Sequence, residues 1–224
     1  MRDDALVADA NHDRWVQRLT TAARSGEILN LTQRVSDPDL LDPAQADTWP
    51  ENRRVPAAAI RTTLLNAKLN HDPHGLRLRG AHIIGALDLE HVRVPCPLWL
   101  THCRIEESAD LTKGRLVELN LAHTHSRNLV LDGAQITGGT VLTGLKATGE
   151  VRALGAHLGG QLNLTNAEQV EGDLNSADDN GRDHRRQKVH KRDNIPPAGA
   201  RGELAAPRKG YRAEPVGPWS PARR

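Results

Sequence analysis

The chain has no phenylalanine, one tyrosine and one methionine among its 224 residues. A conventional core lined with aromatic side chains, which bury the most apolar area per residue, is therefore not expected. Cysteine is scarce as well. Cys96 and Cys103 give no disulfide framework, and two thiols seven residues apart in a reducing compartment read as inert packing residues rather than a redox pair. No run approaches the roughly 18 apolar residues that span a bilayer, and the opening Met1-Arg-Asp-Asp lacks the apolar stretch of a secretory signal. The expected location is cytoplasmic. An excess of one charge is also missing, since the formal net charge is +2. That balance is uneven along the chain: residues 175–224 carry twelve Lys and Arg against six Asp and Glu, so the basic character belongs to the tail.

What the chain does have is leucine, valine, isoleucine and alanine at short regular intervals. Broken at the second leucine of each Leu-x-Leu, it gives the column Leu78, Leu89, Leu100, Leu111, Leu121, Leu131, Leu142, Ala153, Leu164, at spacings of 10 or 11. Two residues earlier stand Leu76, Leu87, Leu98, Ala109, Leu119, Leu129, Thr140, Val151 and Leu162. Five residues later stand Ile83, Val94, Ile105, Leu116, Ser126, Ile136, Ala147, Leu158 and Gln169. A period of two beside turn residues predicts short strands with alternating side chains, not helix. Two residues after the leucine column come Gly80, His91, His102, Lys113, His123, Gly133, Gly144, Gly155 and Asn166, whose small and polar members suit a corner. One such unit buries too little to be stable, but stacked units bury a continuous aliphatic column. The predicted fold is mainly β: a right-handed β-solenoid of four to five coils, if two units make one coil.

Ahead of the repeats, Trp15, Val16, Leu19, Ala22 and Ala23 recur at helical spacing between Asn11 and Gly26, which predicts a short amphipathic helix. Residues 36–54, with Asp-Pro at 37 and 43, predict an irregular connection. A second helix is expected from Pro56, with Ile60, Leu64 and Ala67 on one face, ending before Asp72-Pro73. Its place suggests that it covers the first open edge of the stack. The expected organisation is a helical N-terminal cap over 1–74, solenoid repeats over 75–174 and a disordered basic tail over 175–224.

Candidate chemistry is thin. Gly133 to Gly144 and Gly155 to Gly160 are glycine-rich, but no helix is expected to follow them, as a dinucleotide site requires. Histidine is richer, with His82, His91, His102, His123, His125 and His157 in the repeats. If two units make one coil, His102 and His123 stand about 5 Å apart in one corner column. With Cys103 beside them they form a candidate transition-metal pair, although a ladder of polar corner residues accounts for them more simply because no third ligand is evident. Trp99, between inward Leu98 and Leu100, should point outward, either as an anchor for a partner or packed beneath the N-terminal helix. No catalytic, cofactor-binding or metal residue is assigned on these grounds.

Two stretches, Asp47-Thr-Trp-Pro-Glu-Asn-Arg-Arg-Val-Pro-Ala-Ala-Ala-Ile-Arg-Thr-Thr-Leu-Leu65 and Asp72-Pro-His-Gly-Leu-Arg-Leu-Arg-Gly-Ala-His-Ile-Ile-Gly-Ala-Leu-Asp-Leu89, carry a resemblance. Over about residues 10–174 the chain resembles actinobacterial, pentapeptide-repeat-like β-solenoid proteins that are uncharacterized or labelled "membrane-associated oxidoreductase". The resemblance implies a β-solenoid, and no catalytic motif transfers from it to any residue here. Solenoids of this type can imitate duplex DNA, which needs a strongly acidic surface. Residues 75–174 hold nine Lys and Arg against eleven Asp and Glu, so no specific nucleic-acid partner is expected. The expected role is a non-enzymatic structural or protein-interaction module offering a rigid polar face, with an oxidoreductase as the alternative that the label implies. Peripheral membrane association rests on that label and the basic tail alone. Open solenoid ends tend to pair, so a homo-oligomer joined near Leu162 and Leu164 is also expected.

Overall fold

In a computed structural model, the residues described are 2–169 except 34, 36 and 38–40, with side chains described from residue 9 onward. The tail expected over 175–224 lies outside them. The described chain is a parallel β-solenoid with helices at its N-terminal end.

The first helix, α1 (Arg2–Ser25), begins nine residues earlier than its apolar spacing suggested. Asn11, read as the polar start, sits inside it and accepts a hydrogen bond from Arg14 at 2.9 Å. Trp15, Leu19, Ala22 and Ala23 are buried as expected, and Gly26 ends the helix with φ 66°. Two short strands follow, β1 (Ile28–Asn30) and β2 (Arg54–Pro56), separated by two 3₁₀ turns at Pro43–Thr48 and Glu51–Arg53. The second helix, α2 (Ala57–Leu65), buries Ile60 and Leu64, but Ala67 is exposed beyond its end. Asn66 explains the early stop: its side chain accepts from the Lys68 amide at 3.1 Å, an Asx turn that competes with the helix.

Eighteen further strands wind around four faces. The first face holds β3 (Leu76–Arg79), β7 (Leu98–Thr101), β11 (Leu119–Asn120), β15 (Thr140–Val141) and β19 (Leu162–Asn163). The second holds β4 (His82–Ile84), β8 (Arg104–Ile105), β12 (His125–Ser126), β16 (Lys146–Ala147) and β20 (Glu168–Gln169). The third holds β5 (Leu87–Asp88), β9 (Ser108–Asp110), β13 (Asn128–Val130) and β17 (Val151–Arg152). The fourth holds β6 (Arg93–Val94), β10 (Arg115–Leu116), β14 (Gln135–Ile136) and β18 (His157–Leu158). Two sequence units therefore make one coil, giving four complete coils and the first half of a fifth. Every pairing is parallel, with Leu76 beside Leu98, Leu98 beside Leu119, Leu119 beside Thr140 and Thr140 beside Leu162.

The cap is built into the same sheets. β1 pairs with β3 and β2 with β4, while α2 packs against β5 and β6, standing where the next strands of the third and fourth faces would be. A helix satisfies its own backbone, so it closes those edges without offering a new one. α1 packs against α2, β1, β2 and β3. One continuous core runs from Trp15 through the inward columns to Leu145.

All nine corner residues named from the sequence have φ between 52° and 72°. At His91 the Val92 amide donates back to the Leu89 carbonyl at 3.1 Å, and the same bond recurs at Gly114 to Leu111 and Ala134 to Leu131. This is a four-residue turn with its third residue left-handed, the type II pattern. Where the middle residue of Leu-x-Leu is Asp or Asn, its side chain accepts from the amide two residues on, as at Asp88, Asp110, Asn120 and Asn163.

Candidate functional site

The corner between the first and second faces carries Gly80, His102, His123, Gly144 and Asn166 in successive coils. The ring centroids of His102 and His123 are 4.8 Å apart, as two units per coil requires. One ring nitrogen of the pair is already engaged by an arginine. The Arg79 guanidinium lies 3.4 Å from His102 Nε2, and since it can only donate, that nitrogen is the acceptor. Burial first, then the charge of Arg79 and the neighbouring His123, push the His102 pKa down to about 4. Cys103 points the other way, into the core, where its Sγ lies 3.3 Å from the Thr101 carbonyl oxygen. Complete burial pushes that thiol up to about 12, and burial raises Cys96 too. Both cysteines are free. Among the described residues no three His, Cys, Asp or Glu side chains converge.

The outward row of the second face contains His82, Arg104 and His125, with both histidines buried. The Pro43–Thr48 turn packs against β4 and β8. It brings Asp47 Oδ1 to 3.9 Å from His82 Nε2. Burial lowers the pKa of both His82 and His125. Arg53, beside this segment, is buried, donates from Nε to the Gly80 carbonyl at 2.7 Å and stacks 3.4 Å from the Trp49 ring. These contacts fasten the cap to the solenoid.

Trp99 points outward and is half-buried. Its Nε1 donates to Glu118 at 2.9 Å, and Arg77 lies over the ring at 5.6 Å. Arg77 also donates to the Gly26 carbonyl at the end of α1, so the tryptophan is tied to the cap through an arginine. The glycine-rich segments lie where coils press together. A side chain on Gly160 would begin 2.6 Å from Gly138, and one on Gly159 would begin 2.7 Å from the Thr137 carbonyl. Gly155 is a corner, and β18 follows it rather than a helix.

The diagonally opposite corner, between the third and fourth faces, carries a feature that the motif-based reading passed over. His91, Arg93, Lys113, Arg115, Gly133 and Gln135 line a shallow groove of about 420 Å³ along the solenoid surface. Arg93 and Arg115 are register partners on adjacent coils, and Gln135 follows Arg115. The signal was present as a spacing: 91 to 113 and 93 to 115 are each one coil of two units apart. A second groove of the same size lies between α1 and β1, lined by Arg18, Thr21, Ser25 and Ile28 among others. No protein-family profile, curated protein or solved structure matches the chain.

Proposed function

We propose that the chain is a non-enzymatic scaffold, a pentapeptide-repeat-like solenoid that binds a protein partner across one of its outer faces. The observation that supports this reading is the filled interior. Inward Leu, Ile, Val and Ala side chains form one uninterrupted core from the cap to the fourth coil, so recognition falls to the outward rows. Those rows are fixed in register by coil-to-coil hydrogen bonds and present a preorganised surface, which lowers the ordering cost of binding. No described helix is long and apolar enough to cross a membrane, and a cytoplasmic location is part of the proposal. Pairing of two copies through the end of the stack near Leu162 and Leu164 belongs to it as well.

The test is a pull-down from native lysate with the full chain, run beside an absorbance spectrum and metal analysis of the same protein. A specific protein partner without chromophore or metal is the expected result. Stoichiometric flavin or nicotinamide would overturn the scaffold in favour of an oxidoreductase.

A further inference from the structure

The groove at the third and fourth faces holds three permanent cations, Arg93, Lys113 and Arg115, without a carboxylate partner among the described residues. Adjacent coils lie about 4.8 Å apart. Arg93 and Arg115 stand directly across from each other at that separation, with Lys113 on the neighbouring corner. Like charges placed opposite one another destabilise a sheet. Arg61 meets Asp88 at 2.9 Å, Arg152 meets Asp132 at 2.6 Å and Arg54 meets Glu51 at 3.7 Å, whereas in the groove two arginines without a carboxylate face each other in register. Among the described residues Arg93, Lys113 and Arg115 form no ion pair, and only His91 has a carboxylate beside it, Glu90 at 3.4 Å.

The backbone narrows the class of anion. A compact phosphate site draws on convergent main-chain amides. Here the amides of His91, Lys113, Arg115 and Gln135 are all spent on carbonyls of neighbouring coils, at 2.7–2.8 Å. Recognition is left to long side chains spread along the solenoid axis, with the neutral Gln135 amide at the far end. Two guanidiniums grip carboxylates and phosphates alike in bidentate fashion, so the choice of carboxylate rests on the engaged amides and the open shape. The open shape suits a chain lying across the coils rather than a small molecule enclosed.

We infer that this ledge binds an extended acidic segment of the protein partner, its carboxylates pairing with Arg93, Lys113 and Arg115. The inference rests on the scaffold reading and gives it an address. The experiment is fluorescence anisotropy of a labelled alternating Glu-Ala peptide with the full chain, beside Arg93→Gln/Arg115→Gln. Wild-type protein binds the peptide at low ionic strength, and binding fades as salt approaches physiological strength, where the screening length is about 8 Å. The double variant loses about tenfold or more in affinity, the equivalent of roughly 1.4 kcal/mol. It also melts no lower than wild type, because the opposed charges are gone. Absence of peptide binding, equal affinity in the variant, or tighter binding of inorganic triphosphate than of the peptide would each overturn the inference. Lysate capture separates the two readings: a variant that still captures the wild-type partner keeps the scaffold and removes the ledge from it. Peptide binding through the ledge by a chain that captures no protein does the reverse.

Discussion

Five of the nine corner residues carry side chains in a backbone region that favours glycine, His91, His102, Lys113, His123 and Asn166. Each stores about 1 kcal/mol of strain by the usual cost of that conformation. The converse can be measured at Gly155, where φ is 64° and an added Cβ would meet nothing within 4 Å. Gly155→Ala should lower stability in urea unfolding by about 1 kcal/mol through backbone strain alone. Gly144→Ala should cost more, because its Cβ would begin 2.5 Å from the His123 ring. Equal stabilities for all three proteins would refute the left-handed corner. The histidines make a second prediction. His102 titrates near 6.5 when unfolded and near 4 when folded. Between those values the unfolded chain holds a proton that the folded chain rejects, so stability is full above pH 6.5 and is lost as pH falls towards 4. Buried His82 and His125, also lowered, act in the same direction below 6.5. Melting temperature should therefore fall across that window, and His102→Gln should flatten the fall. A variant with the wild-type slope would remove His102 from the account.

At the scale of the element, the strands that sequence reveals are those in which many copies agree. A single Leu-x-Leu is weak, but nine in register specify which side chains enter the core, and Leu78 to Leu142 are all buried. β1 and β2 carry three residues each and have no repeat of their own to align with, so only their pairing with β3 and β4 defines them. The length of α1 and the early end of α2 turn on Asn11 and Asn66, residues whose side chains can support either a cap or a continuing helix. The repeat columns also predict an energetic gradient. Leu100, fully buried in the second coil, should cost about 2–5 kcal/mol on replacement by Ala, from lost transfer energy and the cavity left behind. Leu164, in the same column but half exposed, should cost about 1 kcal/mol by the same area argument. Denaturant midpoints of the two variants check this, and similar losses would mean that the last strands are buried in solution.

At the scale of the whole molecule, the basic ledge was hard to see because its members are a full coil apart in sequence and touch only once two units close a coil. The same arithmetic brought His102 beside His123, so the ledge was legible as a spacing though it matches no motif. The two ends of the solenoid differ in a way that bears on assembly. The N-terminal end is closed by α1 and α2. At the other, Val151, Leu154, Leu162 and Leu164 are 39–70% exposed, whereas Leu131 and Leu142 in the preceding coils are 2% exposed. The strands β17 to β20 form the last described rung of each face, with no further strand paired to them among the described residues. A contact between those rungs in two copies would be isologous, relating the copies by a two-fold axis. The expected assembly is a closed dimer whose fraction rises with concentration. Leu164→Asp, which sets a charge in the centre of that contact, should return it to the monomer while leaving the coil intact. Light scattering after size exclusion reads both proteins. A doubled mass that the substitution abolishes supports pairing through this end, and a wild-type chain that stays monomeric over the whole concentration range shows that these leucines do not join two copies.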